Sequence, residues 1–426
     1  MPRLLHVGLD DTDSKKAMCT TYVTAVILDE LKNMGFPAAE PPKLIRLNPN
    51  CPYKTRGNAA LSFSLMVETD EVHIIKDVVL AKVRELADLE ERGTDPGVVF
   101  LTGRIPASLA EFSTKAVKEM VTMKEALDLA KSIGAEVHRF KYGRGVIGAL
   151  AAIGNKFDNG FTYELTAYRT KVHWGTPRSI DRTSVFEMDT KTRPYTFDNV
   201  DYTTGEVRIM PHTPCPVYLG IRGTDPAVVE SALKMLRLEE PVERFVLYRT
   251  NQGTDAHLAD VKISDAKVYS SVRIRGLVSS APSTIRGGHV LFRLRDQTGQ
   301  IDCAAYEPTK HFRKLVLELV PGDNVTVYGS VKKHRGLSKT INLEKFELMK
   351  AATVTSTVSP KCPRCGKTMK SEGRNKGYQC PRCKFRDPLA RPTVVELSRR
   401  IKPGLYTVSP RARRHLSKPG ESVYVI

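Results

Sequence analysis

The sequence predicts an α+β chain of several domains, and three observations predict it. Residues 1–260 alternate short apolar strands with helix-spaced stretches. Residues 265–350 carry five short, evenly spaced strands punctuated by glycine. Two C-x-x-C knuckles follow, with a strongly basic end behind them. At 426 residues and 41% hydrophobic composition, the chain has material for about three or four packed domains.

The first strand, residues 4–9, is an apolar run that stops at Asp10, Asp11 and Asp13. A helix follows at residues 21–34, and hydroxyls lie between them at Thr12, Ser14 and Thr20. Ligands of open α/β sheets collect at such strand ends. Three carboxylates this close cannot all stay ionised without a counter-ion, and Mg2+ carrying nucleotide phosphates would supply one. By spacing alone the same residues also fit a turn that caps the helix.

Residues 43–47 read as a strand, and two prolines and a glycine keep residues 48–58 irregular. Lys54 and Arg56 flank Thr55 there, as a phosphate clamp or as an ordinary surface turn. Residues 61–67, 74–86, 98–101 and 109–120 continue as strand, helix, strand, helix. Gly143, Gly145 and Gly148 then match G-x-G-x-x-G around Arg144. Bare glycine amides at a helix start suit a phosphate, and equally allow close helix packing. Residues 160–200 are rich in Thr, Tyr and Arg and include the single Trp174. Asp198 and Asp201 could hold a cationic substrate. Cys215, between two prolines, reads as a small buried hydrophobe before a nucleophile. Strand, helix, strand follow at 217–221, 227–236 and 244–248. No G-x-x-x-x-G-K-[ST] loop is present, so an ATP site would be of another class.

Strands at 272–278, 290–296, 301–306, 324–330 and 340–344, with a helix at 310–319 after the third, have the order of an OB-fold β-barrel. Gly299, Gly322 and Gly336 mark its turns. Basic residues interleave with Phe292, Tyr306 and Tyr328, a pattern suited to tracking a nucleic-acid backbone. Cys362, Cys365, Cys380 and Cys383, in residues 358–390, can offer four thiolates to one tetrahedral Zn2+. With no position left open, that zinc would be structural. Residues 361–426 hold 17 Lys+Arg against 4 Asp+Glu, most of the chain's +19, and residues 391–426 read as a basic tail. The balance points to an anionic partner, nucleic acid first. No apolar run reaches the roughly 18 residues of a membrane span. With no secretory signal, the eight cysteines suggest thiols or metal ligands in a reducing cytoplasm.

Together these features suggest ATP-dependent chemistry on a structured RNA. The chain also resembles a known family, the archaeal tRNA(Ile) 2-agmatinylcytidine synthetases, or TiaS family. The resemblance runs through 8-GLDDTDS-14, 18-MCTTY-22, 45-IRLNP-49, 52-PYKTRGN-58, 143-GRGVIGAL-150, 196-TFDNVD-201, 213-TPCPV-217 and 412-ARRHLSKP-419. It departs from the family at His212, where Asn is expected.

The resemblance implies a kinase-like α/β catalytic domain interleaved within residues 1–260 with a ferredoxin-like domain, the latter built from about 60–140 and 200–255. It implies attachment of agmatine to the wobble cytidine of the CAU-anticodon isoleucine tRNA, so that the tRNA reads AUA. ATP would phosphorylate the base carbonyl, and the amine would displace phosphate. Asp10, Asp11 and Asp13 would hold Mg2+, with Asp10 and Asp11 as its ligands. Lys54, Arg56 and the Gly143–Arg144–Gly145 loop would steady phosphates. Thr20 matches the family's autophosphorylated threonine. Asp198 or Asp201 would grip the guanidinium, on charge alone. The barrel and ribbon would hold the tRNA, with no role for DNA or membrane. Two other readings fit the residues: a tRNA modifier that adenylates the base, and a non-catalytic OB and zinc-ribbon binding protein.

Overall fold

The structure is a computed structural model and describes residues 2–333 and 338–420, so the turn assigned to Gly336 lies outside it. The N-terminal region contains β1 (Arg3–Asp10), α1 (Thr20–Asn33), β2 (Lys43–Arg46), β3 (Ala59–Val67), α2 (Val72–Leu86), β4 (Gly97–Thr102), α3 (Ala107–Lys118), α4 (Met123–Ser132), β5 (Glu136–Arg139) and α5 (Val146–Gly154). It continues through β6 (Thr162–Arg169), α6 (Arg182–Thr192), β7 (Thr196–Phe197), a small ribbon of β8 (Val200–Asp201) and β9 (Glu206–Val207), β10 (Val217–Gly223), α7 (Pro226–Lys234) and β11 (Val242–Thr250).

One nine-stranded sheet unites these residues in the order β5-β4-β1-β3-β2-β11-β6-β10-β7. All of its pairings are antiparallel except β2 with β11. Residues 59–139 supply strands that flank β1, and residues 162–250 the strands beyond the β2–β11 junction. The sheet thus has two lobes, one with strands from residues 3–139 and the other with strands from residues 162–250.

Alternation along β1 decides which helices it carries. Leu5, Val7 and Leu9 pack with Val23, Ile27, Ile75 and Val79 of α1 and α2. Gly8 turns to the other face, where a Cβ would stand 2.4 Å from the Ala149 carbonyl oxygen. The α5 sequence VIGALAAIG is small, apolar and nearly all buried, so this helix lies directly on the sheet.

β6 and α6 are among the elements that the sequence does not announce. β6, with the sequence TYELTAYR, mixes polar with apolar positions because Glu164 and Thr166 face a cavity. α6 begins at Asp181, whose carboxylate accepts the amides of Thr183 and Ser184.

The barrel follows β12 (Leu258–Asp260) and runs through β13 (Ser271–Val278), the short β14 (Ser283–Thr284), β15 (Val290–Arg295), β16 (Gln300–Ala305), α8 (His311–Leu317), β17 (Asn324–Lys333) and β18 (Lys339–Lys350). It closes where Leu277 and Val278 pair with Arg295 and Leu294. Phe292 is a correction: it sits in the barrel core, not on a nucleic-acid surface, because its side of β15 points inward.

After β19 (Thr355–Val358) come the ribbon strands β20 (Lys370–Ser371), β21 (Tyr378–Gln379) and β22 (Arg386–Asp387). The segment expected as a basic tail is folded as far as residue 420. β23 (Thr393–Glu396) pairs with β19, and β24 (Gly404–Thr407) adds to the barrel at β18. Residues 411–418 then return to the N-terminal region. There Gly253 N–H donates to the His415 carbonyl and Asp255 N–H to that of Leu416, both at 2.8 Å.

Glu344 ties barrel, N-terminal region and returning segment together. It accepts from His257 at 3.0 Å and lies 3.3 Å from Arg414. Burial works to raise its pKa, yet His257, Arg414 and Lys345 outweigh this and hold it at about 2. A carboxylate depressed in the fold stabilises above its unfolded pKa and loses that contribution as pH falls through the folded one. The junction should therefore weaken between about pH 4.5 and about 2, by up to about 3 kcal/mol. Hydrogen exchange at residues 253–258 against pH should show it, and Glu344→Gln should flatten the profile.

Candidate active site

The carboxyl end of β1 opens into a cavity of about 910 Å3 between the two lobes of the sheet. Asp10 leans on α5. A Cβ at Gly148 would stand 2.0 Å from Asp10 Oδ2, and one at Gly145 would stand 2.3 Å from the Asp10 carbonyl. The G-x-G-x-x-G glycines therefore first serve close packing, and Gly143 also adopts a left-handed φ of +72°. Asp11 has φ 61°, uncommon outside glycine. Its carboxylate accepts from Asp95 N–H at 3.1 Å and from the Thr55 hydroxyl at 3.4 Å. Asp13 is gripped by Arg56, whose Nε and Nη2 lie 2.7 and 2.6 Å from its Oδ2.

These carboxylates are expensive to ionise. Burial, then Asp11, pushes Asp10 well up. Burial, aided by Asp13 and Asp95, pushes Asp11 to about 7. Burial raises Asp13 even against Arg56. Oxygen-only donors with a deficit of positive charge are the chemistry that suits Mg2+. Among the described residues, however, the three do not converge on one point as a ready cage would.

Thr20 opens α1 at the same end. Its hydroxyl oxygen accepts from the Thr12 hydroxyl at 3.2 Å and the Thr12 amide at 3.4 Å, which leaves its own proton uncommitted. Lys54 reaches the Pro49 carbonyl at the cavity edge. Arg144 lies over the rings of Tyr53 and Tyr142, at 5.2 and 5.9 Å, and 3.4 Å from Asp95. Asp198 lines the cavity but already pairs with Arg413 and lies 3.9 Å from Arg222. Asp201 is not among the lining residues. It is fully buried and accepts from Thr203 and from Arg411 N–H, which holds its pKa down despite burial. Cys215 is buried, with its thiol 3.4 Å from Arg178.

The sequence reading assigned no role to a second wall, formed by Arg46, Glu164, Arg208, Arg222 and His415. Arginine inside the apolar β10 and glutamate inside β6 were the available signals.

The ribbon brings Cys362, Cys365, Cys380 and Cys383 together, with all four sulfurs within 4.8 Å of one another. Cys362 and Cys383 are 3.5 Å apart, as are Cys365 and Cys380. Four sulfurs at this spacing suit one tetrahedral Zn2+. Cys365→Ser should abolish zinc binding, read by elemental analysis, and unfold the ribbon. The barrel should keep its melting transition.

The comparisons agree along the whole chain. Four family models match: the TiaS TCKD domain at residues 6–78, the TiaS FLD domain at 143–257, the OB-fold nucleic acid binding domain at 272–349 and the TiaS C-terminal zinc ribbon domain at 359–401. The isoleucine-tRNA 2-agmatinylcytidine synthetase TiaS of Pyrococcus horikoshii is 47% identical, over 98% of this chain and 96% of its own. The crystal structure of apo TiaS, an agmatidine synthetase of an isoleucine tRNA, superposes with TM-score 0.90 at 40% identity, over 98% of this chain and 97% of that one. A TiaS complex with its isoleucine tRNA, AMPCPP and agmatine gives TM-score 0.86 at 39% identity, over 98% and 96%. The chain belongs to the TiaS family of isoleucine-tRNA 2-agmatinylcytidine synthetases.

Proposed function

We propose that this chain conjugates agmatine to the wobble cytidine of the CAU-anticodon isoleucine tRNA at the expense of ATP, which lets the tRNA read AUA. One observation carries the proposal: a single cavity gathers Asp10, Asp11, Asp13, Thr20 and Lys54 in a chain of this family. The base carbonyl oxygen is a poor leaving group, and phosphorylation makes it a good one. The primary amine of agmatine then attacks the carbonyl carbon and phosphate departs. Phosphoryl transfer needs mainly positioning and charge neutralisation.

Asp10 and Asp11 would hold Mg2+, which supplies charge neutralisation for the triphosphate when bound. Asp13 keeps Arg56 in place, so Arg56 steadies phosphate only from that fixed position. Lys54 and the Gly143–Gly145 loop with Arg144 border the phosphates. Thr20, with its uncommitted proton, is the phosphate acceptor within the protein. Asp198, already paired with Arg413, takes the guanidinium only by exchanging that partner, and buried Asp201 supports the wall behind it.

The barrel and the zinc-loaded ribbon hold the tRNA body while the cytidine is flipped into the cavity. The place of action is the cytoplasm, where the tRNA is used. Among the described residues no helix is long and apolar enough to cross a membrane. Incubating the tRNA with ATP and agmatine, then weighing the wobble nucleoside, tests the proposal. Transfer of α- instead of γ-phosphate to the tRNA would favour adenylation, and no mass change would refute both.

A further inference from the structure

The imidazole of His415 stands in the cavity without an occupation. It enters on the segment that returns from the barrel, where the carbonyls of His415 and Leu416 accept from the amides of Gly253 and Asp255. Arg414 beside it is anchored to Asn50 at 3.0 Å and lies near Glu344. The ring is thus rigidly delivered, yet it remains open to the cavity. It meets no hydrogen-bond partner among the described residues. It lies over the 52–58 loop, where a Cβ on Gly57 would stand 3.8 Å from its Cδ2. Arg46 from β2, Arg222 from β10, Lys54 from the loop and Arg208 after β9 face it.

The cations around the ring favour its neutral form, Arg46 most. The same wall repels an ammonium and so favours an uncharged amine beside it. Amine attack on an activated base carbonyl carbon must shed a proton. A free imidazole within the reaction chamber is the group that can accept it.

We propose that His415 is the proton acceptor for the attacking amine in the second half of the reaction. The amine nitrogen forms its bond to the carbonyl carbon of the base with its lone pair. The carbon–oxygen bond breaks, and its electrons leave on the phosphate oxygen. The proton released by the nitrogen passes to a ring nitrogen of His415 and on to the departing phosphate. Developing negative charge on that phosphate, opposite Arg46 and Arg222, offsets their repulsion of the imidazolium.

This proposal rests on the conjugation chemistry above, and its test separates the two. His415→Gln in the full chain, with tRNA and ATP, is assayed under single turnover with two nucleophiles. After attack the alkylamine nitrogen of agmatine holds its proton tightly and needs an acceptor, whereas the far less basic nitrogen of methoxyamine sheds its proton to water. Wild-type enzyme failing to conjugate agmatine would sink the function and leave His415 out of account. With the function established, the variant should conjugate agmatine at least about 100-fold more slowly. It should still phosphorylate the tRNA, and it should use methoxyamine within a few-fold of wild type. Its agmatine rate should climb with pH, as the amine loses its proton to water. Equal loss with both nucleophiles, or no loss with agmatine, would overturn the assignment. His415→Asn gives the same reading should the glutamine variant misfold.

Discussion

Asp11→Asn should abolish conjugation and at the same time make the protein more stable. The carboxylate sits buried beside Asp13 and Asp95, and its pKa is pushed to about 7. For an acid raised in the fold, the stabilisation of the protonated form is complete below the unfolded pKa of about 3.8. It is lost as pH climbs to about 7. Above neutral pH the folded state therefore carries an ionised group that it disfavours, at a cost of at most about 4 kcal/mol. Asparagine removes the charge and keeps the accepting oxygen for Asp95 N–H. It also tolerates the left-handed φ of 61° better than most residues. The melting temperature at pH 8 should rise, and the gain should vanish near pH 4. The rate should fall at least about 1,000-fold, because the charge that disfavours the empty fold is the charge that would draw in Mg2+ and ATP. A variant that loses stability at pH 8, or keeps its activity, would contradict this picture of the corner.

Gly148→Ala should be nearly as damaging for a different reason. Alanine favours a helix by about 1 kcal/mol over glycine, and Gly148 has ordinary helical φ, so the backbone raises no objection. The obstacle is Asp10. The new methyl would lie 2.0 Å from its Oδ2, 2.7 Å from its Cγ and 3.0 Å from the Ala60 Cβ. Either the carboxylate swings away or α5 lifts off the sheet. The second course would break the packing of Val146, Ala149, Leu150 and Ile153, all buried in one apolar cluster. Asp10 should move, at an overpacking cost of about 1–3 kcal/mol. Conjugation should drop at least about 100-fold, since a displacement of about 1 Å suffices for that. Gly160→Ala provides the control, because nothing lies within 4 Å of its Cβ direction and only its φ of +84° is strained. It should cost stability alone, and comparing melting temperature with rate for the two variants separates a displaced aspartate from a weakened fold.

The order of strands and helices was readable wherever burial imposed a period. The β1 run, the first helix, the five barrel strands with their intervening helix and the four cysteines all lie where pattern and spacing put them. Periodicity failed where one face of an element meets a cavity instead of a core. β6 spends Glu164 and Thr166 on that face, and Phe292 was misjudged because alternation alone does not say which side of a barrel strand is inside. Membership of a family was legible too, because its motifs are long runs of neighbours in the chain.

Pairing between distant segments was not legible, since nothing local encodes it. Asp13 with Arg56, Asp198 with Arg413, and Gly148 with Asp10 meet only after the sheet and the returning segment have formed. The basic end illustrates the limit. Composition reads it as a basic tail, and its charge does suit an anionic partner. Yet pairing of β24 with the barrel, and backbone hydrogen bonds from Gly253 and Asp255, carry it back to place His415 in the cavity. The amino-acid order determined which chemistry this protein could perform. Long-range packing decided which charges are already matched in the folded chain and which side chains remain open to a substrate.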